Sequence, residues 1–114
     1  MENYPNIQEQ PKVYLPNLTL GQLYAFEVSG DSMAPTLDAQ DIIVARKVED
    51  FTKLINGVIY VIATSTGLFI KRIEVCDDTL ILTPDNPMHD AFNVLIKDVK
   101  FVWRAERRIT TINA

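Results

Sequence analysis

The strongest constraint on the fold is a short apolar run at residues 58–63 that is bounded on both sides by turn-forming residues. Asn56-Gly57 precedes the run, and a Thr-Ser-Thr-Gly segment at residues 64–67 follows it. A short run rich in Val and Ile is typical of a strand whose two faces are both buried. The run therefore predicts a central β-strand, and the turn after it predicts a hairpin with a second strand at residues 68–75.

The rest of the chain repeats the signature of β-structure. Residues 23–28 alternate with the period of two that a half-buried strand requires, and strands are also predicted at residues 41–48, which are rich in Ile and Val, at 79–83 and at 99–105. Residues 92–96 form a short apolar stretch. Helical signals are confined to single turns at residues 33–37 and 48–54. We therefore expect a mainly β domain at residues 19–114, with bent sheets forming a partly closed barrel. Residues 1–18, which contain Pro5, Pro11 and Pro16, are interpreted as an extended arm or linker.

Composition narrows the classes of function. A chain of 114 residues is long enough for one core, and its net charge of −4 argues against attraction to nucleic-acid phosphates by this domain alone. With one cysteine and one histidine, neither an internal disulfide nor a metal site is expected, and no cofactor is expected either. No signal peptide or membrane-spanning run is recognised, so we expect a cytoplasmic protein without a membrane partner.

A serine at a sharp turn is the first candidate for chemistry. Ser32 follows the strand at residues 23–28 directly, and Gly30 allows the backbone to turn tightly there. Backbone N–H groups of Asp31 and Ser32 could then face a developing oxyanion. Met33 and Leu37 are predicted to form apolar walls of a cleft. The competing interpretation is that Ser32 caps the following helical turn, and the serine alone does not decide between the two.

A lysine on an apolar strand face is the second candidate. Alternation in the strand at residues 68–75 places Lys71 on the same face as Phe69 and Ile73. Taken alone, this pattern favours a lysine whose stem covers apolar surface while its ammonium group reaches water. As a general base the amine must be neutral, and lowering a lysine pKa from about 10.4 to about 7 corresponds to roughly 4.6 kcal/mol. Burial in an apolar pocket can reach that value, so we expect Lys71 to be largely buried.

Together, these segments resemble a known family. Ser29-Gly30-Asp31-Ser32-Met33, Phe69-Ile70-Lys71-Arg72-Ile73 and Leu82-Thr83-Pro84-Asp85-Asn86-Pro87 are similar to the C-terminal domain of LexA-type repressors, the S24 peptidase family. The similarity is closest to phage-repressor-like transcription regulators. It implies that Ser32 is the nucleophile and Lys71 the general base of a Ser-Lys serine peptidase that cuts its own chain. It also implies a homodimer, DNA contact through an N-terminal helix-turn-helix, and a RecA-like filament of the SOS response as a potential trigger.

Two departures from the family pattern leave alternatives open. Ala39-Gln40-Asp41 stands where the family often has Asp-Gly-Asp, and no Ala-Gly or Cys-Gly bond of the kind the family cleaves occurs in the chain. We therefore expect that the cleavage loop and the helix-turn-helix are absent here. The alternatives are a non-cleaving dimerisation and sensing domain, or a UmuD-type accessory subunit of a translesion polymerase. Type I signal peptidases share the Ser-Gly-x-Ser-Met motif, but those enzymes need a membrane anchor.

Other side chains are interpreted without a chemical role. His89 is taken as a solvated loop histidine, although a third catalytic member stays open, and Cys76 beside two aspartates is not expected to act as a nucleophile. Alternation in the last strand puts Val99, Phe101 and Trp103 on one face, which we expect to lie in the core or at a two-fold interface. The arginines that follow are interpreted as a solvated strand edge: Arg104, Arg107 and Arg108.

Overall fold

Eight strands make up almost all of the regular structure in the part of the chain that the structure describes. The computed structural model describes the backbone of residues 12–14 and all of residues 23–110. The strands are β1 (Lys12–Tyr14), β2 (Leu23–Glu27), β3 (Ile42–Lys47), β4 (Ile59–Thr64), β5 (Leu68–Cys76), β6 (Thr79–Thr83), β7 (Phe92–Leu95) and β8 (Val99–Ile109). Two single-turn 3-10 helices, Phe51–Lys53 and Ile96–Asp98, complete the described elements. The mainly β class predicted from the alternation is confirmed.

The strands form one antiparallel sheet in which the C-terminal strand lies in the middle. The order across the sheet is β1-β2-β3-β8-β4-β5-β6-β7, so β1 and β7 are the two edges of the described sheet, which is not closed into a barrel. β8 extends four residues beyond the predicted end, to Ile109, and pairs with β3 on one side and β4 on the other. The expectation of a strand edge was wrong for Arg104, which pairs with β3 on one side and β4 on the other, whereas Arg107 and Arg108 pair with β3 alone. The polar second half of β8 continues as a strand because of this pairing with β3.

Strand β4 is buried on both faces, as the apolar run predicted. Tyr60 and Ile62 pack in one apolar cluster, whereas Val61 and Ala63 pack in another. The first cluster is the one beneath the serine turn: Phe26, Val28, Met33, Leu37, Ile43, Ala45, Val61, Ala63, Leu68, Ile70 and Trp103. The second cluster lies among the later strands: Tyr60, Ile62, Ile73, Leu80, Leu82, Val99 and Val102. The sheet therefore supports two apolar clusters, with β4, β5 and β8 contributing to both.

A register shift in β8 changes which of its side chains share a face. Ala63 pairs with Phe101 but Thr64 pairs with Val99, so one extra residue is accommodated in β8. Val99 consequently packs in the second cluster, and Trp103 packs in the first. The prediction of one face shared by Val99 and Trp103 was wrong, because simple alternation cannot anticipate a bulge.

Trp103 lies inside the core of the chain. Only 1% of its surface is exposed, and its ring contacts Phe26 and Tyr24 at centroid distances of 4.9 and 5.7 Å. Of the two roles considered for this side chain, core packing is the one that the structure shows.

Smaller elements also follow the sequence pattern. The predicted turn at residues 33–37 is present as a hydrogen bond from the Leu37 N–H to the Met33 carbonyl, at 2.9 Å. Lys12–Tyr14, the described part of the predicted N-terminal arm, pairs with β2, and the rest of the arm lies outside the described residues. Among the described residues, no helix is long and apolar enough to cross a bilayer.

We expect the second cluster to contribute strongly to stability. Leu82 is fully buried in β6, and Leu95 on the adjacent strand β7 is 39% exposed, so the two leucines form a matched pair. Leu82→Ala should lower the free energy of unfolding by about 2–5 kcal/mol, because it removes buried surface and leaves a cavity. Leu95→Ala should cost less than about 1 kcal/mol. Denaturant titration followed by the fluorescence of Trp103 measures both; equal losses would contradict the assignment of the core.

Candidate active site

The serine turn is held closed at its base by backbone hydrogen bonds. The loop from β2 to β3 is closed where the Val28 N–H donates to the Asp41 carbonyl at 2.8 Å and the Gln40 N–H donates to the Val28 carbonyl at 2.9 Å. Gly30 has a φ of 78°, a left-handed conformation that glycine adopts without steric cost. Ser32 follows it on a turn that the Ala34 N–H closes on the Asp31 carbonyl. Gly30 therefore allows the tight turn that the sequence predicts at this position.

The side chains of Ser32 and Lys71 are in direct contact. The Nζ atom of Lys71 lies 2.9 Å from the Oγ atom of Ser32, within the range of a strong hydrogen bond. Ser32 comes from the loop after β2 and Lys71 from the middle of β5, opposite Tyr60 of β4. The hydrogen bond expected from the sequence is therefore present. A protonated amine donates to Oγ; a neutral amine can instead accept the hydroxyl proton, which is the chemistry of a general base.

Lys71 is less enclosed than predicted. Its side chain is partly buried rather than largely buried, although its strand neighbours Phe69 and Ile73 are apolar. The strand pattern identified those neighbours, but it could not show how far the amine is enclosed, because its contact with Ser32 is made by a loop from another part of the chain.

Met33 and Leu37 lie beneath the turn rather than along a cleft. They are 2% and 4% exposed, respectively, and both belong to the first cluster. The prediction that they form cleft walls was wrong, because almost none of their surface is left for a ligand. They instead anchor the turn to the core through apolar contacts.

A second loop, between β6 and β7, contacts the serine turn through Asn86. The Asn86 N–H donates to the Ser32 carbonyl, and its side-chain amide donates to the Asp31 carbonyl, each at 3.0 Å. These bonds set the orientation of the two peptide units whose N–H groups belong to Ser32 and Met33. Asn86 belongs to the segment that resembles the family motif, but no pattern around it predicts these contacts. The backbone at Asp31 and Ser32 stays a prediction as an oxyanion site.

His89 belongs to the same second loop. Its Nε2 atom lies 2.7 Å from a carboxylate oxygen of Asp31, so it contacts the serine turn rather than being only solvated. Cys76 is exposed at the end of β5. Within residues 23–110, no group of three or more His, Cys, Asp or Glu side chains is arranged to hold a metal ion.

Asp85 joins the serine turn to the strand that carries Lys71. Its two carboxylate oxygens accept hydrogen bonds from Nε and Nη2 of Arg72, at 2.8 and 3.0 Å. The side chain of Thr36, in the serine turn, also acts to lower the pKa of the carboxylate. Burial acts to raise the pKa of Asp85, but the hydrogen bonds from Arg72 and Thr36 outweigh it and the net pKa lies below the usual 3.8. The stabilisation from this carboxylate is present above pH 3.8 and is lost as the pH falls through its lower folded pKa.

Arg108 holds the opposite side of the turn. Its Nε atom lies 2.8 Å from a carboxylate oxygen of Asp41, which is only 2% exposed. Its Nη1 atom donates to the Thr36 carbonyl at 2.9 Å, and Asp38 lies within 3.6 Å. Arg108 therefore supports the serine turn, although 41% of its side chain stays exposed to solvent.

The fold and the site together define the class of this protein. It is an antiparallel β domain in which a serine hydroxyl contacts a lysine amine. The chain belongs to the Peptidase S24-like family, whose model matches residues 1–105. This is a family of serine peptidases that also covers LexA-type, UmuD-type and phage repressor proteins, so the resemblance found in the sequence is confirmed at the family level. A search of curated proteins finds no match to the chain.

We expect Arg108→Ala to destabilise the fold. The substitution leaves the buried Asp41 carboxylate without its cationic partner, and loss of a hydrogen bond to a buried charge costs about 1.5–3 kcal/mol. Arg104→Ala provides the control, because Arg104 is exposed on the same strand and should change the free energy of unfolding by less than about 0.5 kcal/mol. Denaturant titration of the two variants checks the difference. Equal stabilities would mean that the Asp41 carboxylate is satisfied without Arg108.

Proposed function

We propose that this domain is the self-cleavage and dimerisation domain of a LexA-like, phage-repressor-type transcriptional regulator, with Ser32 as nucleophile and Lys71 as general base. The observation that carries the proposal is the 2.9 Å contact between Oγ of Ser32 and Nζ of Lys71. Membership of the Peptidase S24-like family supports it. DNA contact would be made by an N-terminal helix-turn-helix of the kind that such regulators carry ahead of this domain, and the regulator would act in the cytoplasm.

The proposed reaction begins with a proton transfer from Ser32 to Lys71. The neutral amine takes the hydroxyl proton as Oγ attacks the carbonyl carbon of the scissile peptide bond. The carbonyl oxygen becomes an oxyanion, and in this proposal the backbone N–H groups of the serine turn donate hydrogen bonds to it. When the C–N bond breaks, the Lys71 ammonium returns the proton to the leaving amine. Water then hydrolyses the Ser32 ester, with the neutral lysine again acting as base.

Anchoring of the serine turn supports this mechanism over simple helix capping. A capping serine needs only a backbone N–H within its own turn. Here the hydroxyl is directed across to another strand, and Asn86 binds the carbonyl groups of Asp31 and Ser32. Such rigid placement is what a nucleophile requires, since near-attack geometry supplies much of a rate enhancement.

The first test is covalent reactivity of Ser32. A fluorophosphonate probe should react with the wild-type domain, with Oγ bonding to phosphorus, fluoride leaving and Lys71 taking the proton. Ser32→Ala should abolish labelling, and Lys71→Ala should slow it by about 10²–10⁴-fold, the usual contribution of a general base. Ser29→Ala is the matched control, because Ser29 is an exposed serine just before the same turn, and it should react like wild type. The rate should rise with pH, since only the neutral amine accepts the proton.

Cleavage itself is tested in a longer chain. The domain alone should show no self-cleavage at any pH, whereas a chain extended by an upstream segment with an Ala-Gly bond should be cut there. Cutting that persists in Ser32→Ala at the wild-type rate would identify a different nucleophile. No cutting and no labelling at any pH would favour the alternatives, a dimerisation and sensing domain or a UmuD-type accessory subunit.

We further propose that the domain forms a homodimer next to the end of β8. Trp103 does not supply its surface, since it is buried, but Ile109 is 50% exposed at the end of the strand. Sedimentation velocity at high micromolar concentration should show a dimer that Ile109→Asp weakens. Ile55→Asp is the control, because Ile55 is similarly exposed, at 48%, but lies between β3 and β4 rather than in β8. A monomer at all concentrations would contradict the proposal.

A further inference from the structure

The two residues of the pair come from elements that differ in rigidity. Lys71 lies in the middle of β5, which pairs with β4 on one side and β6 on the other. Ser32 lies in the loop between β2 and β3, and connecting loops are generally more mobile than the strands they join. A general base works only when it lies within about 2.6–3.2 Å of the proton donor. Something must therefore hold the serine turn against β5.

Asp85 is placed to do this. Its carboxylate accepts both hydrogen bonds of the Arg72 fork, and Arg72 is the residue next to Lys71 on β5. The Thr36 side chain, in the serine turn four residues after Ser32, also acts to lower the pKa of this carboxylate. Asp85 also precedes Asn86, which binds the carbonyl groups of Asp31 and Ser32. One loop thus contacts the strand of the base and the turn of the nucleophile.

We propose that Asp85 is a positioning residue, which ties the serine turn to β5 and so holds Oγ of Ser32 at bonding distance from Nζ of Lys71. The inference rests on the proposed function only for its effect on rate. A fork-shaped guanidinium bound by both oxygens of a carboxylate fixes direction as well as distance. Arg72 is fixed further because its Nη1 donates to the Gly57 carbonyl at 2.8 Å. The carboxylate is only 14% exposed, so its geometry is more restricted than that of a surface ion pair.

A purely structural ion pair makes different predictions. Arg72 is 39% exposed, and ion pairs that reach solvent contribute little to stability. If Asp85 only stabilised the fold, its loss would change the denaturation midpoint slightly and leave the chemistry alone. If it acted on Lys71 only through its charge, its loss would shift the pH midpoint of the reaction and preserve the limiting rate at high pH. A positioning residue instead lowers the limiting rate itself, since the neutral amine is then misplaced.

The test compares Asp85→Asn, Asp85→Glu and the control Glu106→Gln. Glu106 accepts a hydrogen bond from Arg46 at 2.9 Å on the exposed surface, so the control removes a similar carboxylate away from the pair. The fluorophosphonate rate is measured from neutral to alkaline pH. Asp85→Asn should lower its high-pH plateau about 10- to 100-fold, the range expected for a misplaced catalytic group. Asp85→Glu should recover part of the loss, and Glu106→Gln should match wild type.

Backbone hydrogen exchange tests the positioning role of Asp85 independently of the proposed peptidase activity. Exchange at residues 30–37 should quicken in Asp85→Asn and stay at the wild-type rate in Glu106→Gln, with all denaturation midpoints close to wild type. A wild-type plateau in Asp85→Asn would overturn the positioning role while leaving the serine–lysine pair intact. If the wild-type protein does not react at any pH, the proposed function fails, and the exchange rates alone decide whether Asp85 holds the turn. Unchanged hydrogen exchange in Asp85→Asn would then overturn the proposal that Asp85 ties the serine turn to β5.

Discussion

The pairing of β8 with both β3 and β4 is the contact on which the rest of the molecule depends. Strands β1 to β3 form one half of the sheet and carry the serine turn, whereas β4 to β7 form the other half and carry Lys71. β8 is the strand between them, and its Trp103 and Val102 pack in the first and second apolar clusters, respectively. Because the last strand in the chain joins two earlier halves, the serine and the lysine meet only when this long-range pairing is complete.

Apolar and polar contacts around Ser32 contribute differently to the position of the serine turn. Met33 and Leu37 supply buried area beneath the turn, which holds it on the core but specifies no direction. Direction comes from hydrogen bonds: Arg108 donates to the Thr36 carbonyl, and Asn86 donates to the carbonyl groups of Asp31 and Ser32. A turn supported in this way is held in one orientation, which is what the proposed role of Ser32 as a nucleophile requires.

Much of the strand pattern was predictable because it depends on local burial. The apolar run at residues 58–63 predicted the central position of β4, and the strand Thr79–Thr83 has the predicted bounds. The errors occur where neighbouring strands override alternation. The bulge in β8 separated Val99 from Trp103, and pairing with β3 carried β8 through a series of arginines to Ile109. Neither effect has a signal in the local sequence, because each is set by the partner strand.

By itself, the sequence determined the β class and the tight turn at Gly30, since each depends on a short pattern of residue types. Ser32 and Lys71 were singled out as a pair by the resemblance to a known family. Only the tertiary structure decided that Asp85, Asn86 and Arg108 surround the turn. Their side chains are ordinary polar residues of a loop and a strand, and they acquire a role only through partners distant in sequence. A buried carboxylate such as Asp41 also needs a cation within reach, and that requirement is met by a residue from the opposite end of the domain.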